Sequence, residues 1–402
     1  MAYTRRNFLG HSLLASGSLL VPKFLKAFES PLALPNKLNE KVLVVVQLSG
    51  GNDGLNTIVP YRNDEYYKLR PGIGLKKEKL IAINDAFAFN IALAPLQKLY
   101  DDGLLTIING VGYPNPDLSH FRSMDIWQSG SGNENFYNTG WLGRYLDASC
   151  TTGCSSHMGV EADGYLSLAM KGNKVNGIAT PDPEKLLRSL RDPYLADVVN
   201  AHPATSDADN NVEYLYKVMR ETYSSAEYLA EKTKTYSSKQ LYPDTAFSKK
   251  LNTVANLING SADTKVYYVS TSGFDTHVNQ VMTQEKALSL VTNGLAAFVD
   301  DIKASGRLKE VVVMVFSEFG RRVSQNASGG TDHGTANNVW VISGALKKKG
   351  FYNSLPELNA LNEGNFKYSI DFRSVYATLL NNWLSADDRV ILQNQFSYLD
   401  FV

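Results

Sequence analysis

The sequence predicts an α/β fold: a doubly wound, mostly parallel β-sheet with helices on both faces. Five short apolar runs rich in β-branched residues, KVLVVVQL, LLTIING, TKVYYVST, EVVVMVFS and NNVWVISG, have the character of strands buried on both sides. Helical patterns lie between them, and strands alternating with helices imply parallel crossovers. With 44% hydrophobic and 20% charged residues, the 402-residue chain has the composition of a packed core rather than a disordered one.

The first residues stand apart. YTRRNFLGHSLLASGSLLVPKFLKAF sets Arg5-Arg6 before Phe8-Leu9 and a modest apolar run. That order of charge and apolarity marks a targeting segment. The arginine pair followed by Phe-Leu resembles a twin-arginine export signal; an amphipathic first helix is the plainer alternative. The run is short and interrupted for a membrane span, and no strong A-x-A site comes after it. Residues 1–35 are therefore read as an export signal recognised by the twin-arginine translocase. This places the protein in the periplasm or at the cell surface, anchored if the signal is uncleaved.

Residues 40–402 read as one domain. LVTNGLAAFVDDIKASG (290–306) has apolar residues near a 3.6 period and ends at a glycine. VEYLYKVMRETYSSAEYLAEKTKTY is a long amphipathic helix or a pair, and DFRSVYATLLNNWL is another helix. The stretch 180–262 is polar and helix-rich, and reads as a helical insertion or cap. Cys150 and Cys154 are the two cysteines; a short disulfide loop and two free thiols are both open. Lysine plus arginine equals aspartate plus glutamate at 40 each, so no basic excess exists for a nucleic-acid surface.

Parallel strands direct ligands to their carboxyl ends, so the residues just past each strand carry the most information about chemistry. After VLVVVQL comes Asp53 in SGGNDG. After LLTIING come Ser119 and His120. After VYYVST come Asp275 and His277. After VVVMVF comes Glu318, and a glycine-rich loop brings Asp332 and His333 before the next strand. Singly, these are ordinary: Asp among glycines is a turn residue, and Ser before a helical run is an N-cap. Together they use three of the six histidines, whereas His11, His157 and His202 lack such a setting. Carboxylates with imidazoles suit a divalent cation, which would stabilise charge developing on phosphoryl or sulfuryl oxygens. Ser119, at a helix start where amides attract anions, fits a nucleophile. Arg321, just past Glu318, is a candidate for holding substrate oxygens; Arg144 and Arg322 read as packing or surface residues. A metal-free acyl hydrolase built on Ser119 or Ser317 is the weaker alternative, since no G-x-S-x-G elbow occurs.

The segments QLSGGNDGLNTIVPY, GVGYPNPDLSHFRSMDIWQSG, TGWLGRYLD, TSGFDTHVNQ, VVVMVFSEFGRRVSQNASGGTDHGTANNVWVISG and DFRSVYATLLNNWL resemble one exported bacterial family, domain-of-unknown-function 1501. That family is placed in the alkaline phosphatase and sulfatase superfamily. The resemblance implies an alkaline-phosphatase-like fold and that superfamily, but no substrate; with the carboxylate, histidine and serine residues at the strand ends, the expected function is a metal-dependent hydrolase of phosphate or sulfate esters. Its cofactor would be one or two divalent ions of the zinc, manganese, calcium or magnesium kind. Its substrate would be a small anionic ester or a sulfated or phosphorylated polymer, not nucleic acid. Carried over by position, Ser119 is the nucleophile, and Asp53, Asp275, His277, Glu318 and His333 hold metal. Phe319 stands where the superfamily pattern has a histidine. Either Asp332 or His120 compensates, or Asp332-His333 is itself the adjacent pair. The short ligand count leaves open a non-catalytic binding or assembly protein on the same fold.

Overall fold

Val42–Leu48 (β1) is buried along its whole length, and the reason is visible in its alternation. Val42, Val44, Val46 and Leu48 enter one core, while Leu43 and Val45 enter another. A strand covered on both faces has no polar side, hence the unbroken apolar run. The computed structural model describes residues 41–150, 154–193, 197 and 211–402, so the export signal expected over 1–35 lies outside them.

Eight further strands join β1: β2 (Leu105–Gly112), β3 (Gly159–Glu161), β4 (Ile178–Ala179), β5 (Val266–Thr271), β6 (Val311–Phe316), β7 (Asn337–Ile342), β8 (Gly350–Phe351) and β9 (Ile370–Asp371). Their order is β8-β2-β7-β6-β1-β5-β3-β4, with β9 also paired to β2. The five apolar runs are β1, β2, β5, β6 and β7. In the centre β1 runs parallel to β5 and β6, with Val46 opposite Val269 and Val315. The exception, β7, is antiparallel to β2 and β6. This reversal matters for the site. Residues before a parallel strand would lie at the opposite edge; because β7 is reversed, Asp332 and His333 share the edge reached by the carboxyl ends of β1, β2, β5 and β6.

Ten α-helices among the described residues frame the sheet: α1 (Asp64–Leu69), α2 (Ala94–Asp101), α3 (His120–Ser129), α4 (Trp141–Ser149), α5 (Pro183–Leu190), α6 (Asn211–Thr235), α7 (Ala246–Asn259), α8 (Gln280–Ala304), α9 (Phe372–Thr378) and α10 (Asp388–Leu392). One sheet face is covered by α2, α7 and α8 through Leu96, Leu251, Val254, Leu295 and Phe298. The other is covered by α3, α4 and α9 through Trp127, Trp141, Leu142 and Tyr376. Residues 41–402 form one compact unit. The 180–262 stretch supplies α5, α6 and α7, and α7 contributes directly to the sheet-covering layer rather than to a cover over the strand ends. Arg144 is buried and donates to the carbonyls of Thr139 (2.7 Å) and Ser129 (2.6 Å), a helix-packing role. Cys150 and Cys154 are joined in a disulfide, with Cα atoms 5.4 Å apart. Among the described residues no helix is long and apolar enough to cross a membrane.

The end of β3 carries a buried acid. Glu161 accepts from the Ser167 N–H at 2.7 Å, and burial pushes its pKa up to about 7 from 4.5. A carboxyl whose folded pKa exceeds its unfolded value opposes folding wherever it must ionise. Stability should therefore fall as pH rises from 4.5 to about 7 and level off above, by about 3 kcal/mol in all. In urea melts, Glu161→Gln is expected to gain over the parent progressively through that window. A stability difference independent of pH would contradict this.

Candidate metal centre

The centre is assembled from loops at the carboxyl edge, and two glycines let them meet. Gly50 (φ +118°) and Gly51 (φ +72°) adopt backbone conformations that side chains resist. A Cβ on Gly50 would lie 2.4 Å from the Asp275 nitrogen, and one on Gly51 2.2 Å from the Phe319 ring. The loop after β1 is thus pressed against those after β5 and β6.

Arg321 fastens the three loops. Its Nε donates to the Gly51 carbonyl (2.6 Å), its Nη1 to Thr331 (2.9 Å), and its Nη2 to Gly50, Phe274 (3.1 Å) and Asp275 Oδ1 (2.7 Å). All three nitrogens serve protein oxygens and the side chain is fully buried. Arg321, expected to hold substrate oxygens, instead gives its hydrogen bonds to four backbone carbonyls and to Asp275 Oδ1.

Asp53 requires a second correction. It was expected to bind metal, but its carboxylate is fully engaged elsewhere. Arg70 Nη1 and Gln280 Nε2 donate to Oδ2, the former over 2.6 Å, and the amides of Leu55 (3.0 Å) and Asn56 (3.3 Å) donate to Oδ1. Arg70 also donates to the carbonyls of Val323 (2.7 Å) and Arg322 (3.0 Å). Asp53 and Arg70 form a buried ion pair that stitches the glycine turn to the segment after α1. The glycines serve close approach, not space for an ion.

The groups that do converge are Asp275, His120, His277 and His333. Asp275 Oδ1 lies 3.5 Å from His120 Nε2, 3.1 Å from His277 Nε2 and 3.6 Å from His333 Nε2. The Nε2 atoms of His277 and His333 are 2.9 Å apart. His120, Asp275 and His333 each offer a ligand atom within 4.8 Å of the others.

Each imidazole is held from behind through Nδ1. His333 Nδ1 donates to the Leu118 carbonyl at 2.6 Å, an atom that can only accept. His120 Nδ1 faces Glu318 Oε1 at 2.9 Å, and His277 Nδ1 faces Asp332 Oδ1 at 3.3 Å. The acceptors behind His333 and His120 favour the proton on Nδ1 with the Nε2 lone pair facing inward, the arrangement that prepares histidine for metal, whereas His277 has a carboxylate oxygen at each nitrogen, Asp332 Oδ1 at Nδ1 and Asp275 Oδ1 at Nε2. His120 Nε2 is buried and makes no hydrogen bond. Nitrogens 2.9 Å apart share a proton or hold a cation between them. With bonds of about 2.0–2.1 Å, ligand atoms on a tetrahedral ion lie about 3.3 Å apart, close to the distances from Asp275 Oδ1 to the three rings. His120, Asp275 and His333 fit one divalent ion, and His277 adjoins them through Asp275 Oδ1 and His333 Nε2.

Electrostatics treat the rings differently, favouring the charged form of His120 and the neutral form of His333. The hydrogen bond to Glu318 raises the pKa of His120, against the effect of burial. Burial lowers that of His333, so it favours the neutral ring. For Asp275 burial opposes ionisation, but Arg321, His120 and His277 outweigh it and hold the carboxyl below its ordinary range. Hydrogen bonding from Asn326 lowers Asp332 likewise.

Glu318 was expected as a ligand and stands one step back: its Oε1 accepts from His120 Nδ1 and from the Gly50 amide (2.8 Å). Phe319 is the wall of the centre, its ring centroid 4.8 Å from that of His120 and 4.7 Å from that of His333. His120, a secondary candidate in the sequence, is central; its position at a helix start in a strand-end loop was the available signal. Ser119 is exposed at the N-cap of α3 and its side chain makes no cap hydrogen bond. Its neighbours on both sides, Leu118 and His120, hold the centre. An amide behind His120 can present a donor where Glu318 only accepts. Glu318→Gln is therefore expected to weaken zinc binding by about 10–100-fold. Titration against a chromophoric chelator measures this, and an unchanged affinity would contradict the role.

Fold and site define an α/β protein with a histidine–aspartate centre at the carboxyl edge of its sheet. The chain belongs to the family described as "Protein of unknown function (DUF1501)", whose model matches residues 106–395. Among solved structures it is similar to the PsFucS1 sulfatase from Pseudoalteromonas sp., at 11% identity over 90% of this chain and 70% of that one, with TM-score 0.40. It is also similar to the phosphonate monoester hydrolase SpPMH from Silicibacter pomeroyi, at 7% identity, 89% and 77% coverage and TM-score 0.42. A third is the lipoteichoic acid synthase LtaP from Listeria monocytogenes, at 11% identity, 90% and 76% coverage and TM-score 0.36. No curated protein matches the sequence.

Proposed function

We propose that the chain is an exported, metal-dependent hydrolase of phosphate or sulfate esters, with Ser119 as nucleophile and one divalent ion held by His120, Asp275, His277 and His333. The observation that carries this is the convergence of three Nε2 atoms on Asp275 Oδ1, with an oxygen behind each Nδ1. Three imidazoles and one carboxylate suit zinc better than magnesium or calcium. When bound, such an ion supplies Lewis acidity to an ester oxygen and lowers the pKa of a coordinated hydroxyl.

The chain's own residues do the rest. Ser119 precedes a ten-residue helix and leaves the first-turn amides uncapped by its side chain, so those N–H groups can receive an anionic ester. Glu318 and the Leu118 carbonyl favour the Nδ1 proton on His120 and His333, and Arg321 orients Asp275. Export through the twin-arginine translocase accords with loading the ion before transport. Asp53 is committed to Arg70, which favours one ion over two. That same commitment favours the second reading, a non-catalytic binding protein with an incomplete version of the site.

The two readings separate on one variant. Ser119→Ala is expected to lower turnover of 4-nitrophenyl phosphate or sulfate by roughly three orders of magnitude or more while zinc stoichiometry stays unchanged. Full zinc occupancy with no turnover of any ester by the parent would instead support the binding protein.

A further inference from the structure

Beside the metal centre lies a cleft of about 650 Å³, lined by the loop after β2 and by residues 362–368. Leu118 borders it and gives its carbonyl to His333, and Thr335 borders it two residues past His333. The volume lies within the usual range for small-molecule sites, about 300–1,000 Å³.

Its chemistry is selective. Tyr368, 40% exposed, and the largely buried Phe366 offer aromatic surface. Asn115, Asn362 and Asn365 line the same cleft, and an amide side chain pairs a donor with an acceptor, as neighbouring hydroxyls on a ring do. Asn365 is 6% exposed, and its buried Oδ1 has no hydrogen-bond partner. A buried acceptor without a partner is costly, and a turn of the Asn365 amide toward the cleft would let a ligand O–H satisfy it. The formal charges, Glu363 and Lys367, are one of each sign. That balance disfavours a nucleotide, which needs concentrated positive charge, and the amides disfavour an acyl chain.

From this lining we infer that the cleft receives a sugar ring, so that the substrate is a phosphate or sulfate ester of a glycoside. The ring stacks on Tyr368 and a hydroxyl donates to Asn365 Oδ1, with the ester group directed to Ser119 and the centre. This rests on the hydrolase reading, and the test separates the two.

The test compares galactose 6-sulfate and galactose 6-phosphate with the corresponding 4-nitrophenyl esters, on the full zinc-loaded chain. Tyr368→Ala and Asn365→Leu should each lower kcat/KM for a galactose ester by about tenfold, the equivalent of one good contact, mainly through KM. The 4-nitrophenyl ester should change by less than about twofold, and zinc content not at all. Which galactose ester responds identifies the anion. Equal losses on both ester types, or none, would overturn the inference. Saturation-transfer NMR with neutral methyl galactoside gives a readout independent of catalysis. The signal should survive His277→Ala and vanish in Tyr368→Ala. Its absence from the parent would overturn the sugar cleft even if hydrolysis holds, whereas its presence without any hydrolysis would leave the cleft standing and remove the hydrolase.

Discussion

Replacing His277 with alanine is expected to lower zinc affinity by more than about 100-fold, beyond the loss from removing an outer partner such as Glu318. The variant loses an inner donor outright, and the Nε2 atom that His333 faces at 2.9 Å disappears with it. Folding should hardly change. His277 is substantially exposed, with its ring supported mainly by Asp332, and surface changes of that kind usually fall within about 0.5 kcal/mol. Competition with a chromophoric chelator gives the affinity, and a urea melt in chelator gives the stability. A variant that binds zinc like the parent would remove His277 from the centre.

The second large effect concerns folding rather than metal. Arg70→Met should destabilise the chain by about 3–5 kcal/mol, because it strands the Asp53 carboxylate in a dry interior. Asp53 is 1% exposed and its Oδ2 lies 2.6 Å from the guanidinium. The carbonyls of Val323 and Arg322 lose their donor as well. Adding Asp53→Asn should recover part of the loss, since a neutral amide is less costly to bury than an unpaired charge. Urea melts of the two variants decide the matter. Were Asp53 instead a metal ligand restrained by Arg70, Arg70→Met would gain a second ion and keep its stability.

These two residues also mark what the sequence could and could not convey. The strands were legible because burial on both faces forces continuous apolar runs, as in β1 and β6. The edge carrying the chemistry was legible too, since Asp275, His277 and His333 all lie directly beside such runs. Which acid meets which base was not. Arg70 lies in a polar segment around α1, with no periodicity to connect it to Asp53, and a carboxylate among glycines reads the same whether its partner is an ion or a guanidinium. The exchange of roles between Glu318 and His120 was hidden for a similar reason. Both sit at strand ends, and only three dimensions reveal that the glutamate backs Nδ1 while Nε2 points inward. The reversal of β7 was equally silent in NNVWVI, whose apolar character says nothing of direction. Yet that reversal brings His333 to the same edge as the others.

The central claim is one ion at one place. The most direct measurement is anomalous diffraction at the zinc edge from crystals of the full chain grown with zinc. The expected result is a single peak about 2.0–2.3 Å from Nε2 of His120, His277 and His333 and from a carboxylate oxygen of Asp275, with none beside Asp53. A peak at Asp53, or no peak among the three histidines at full zinc saturation, would contradict it.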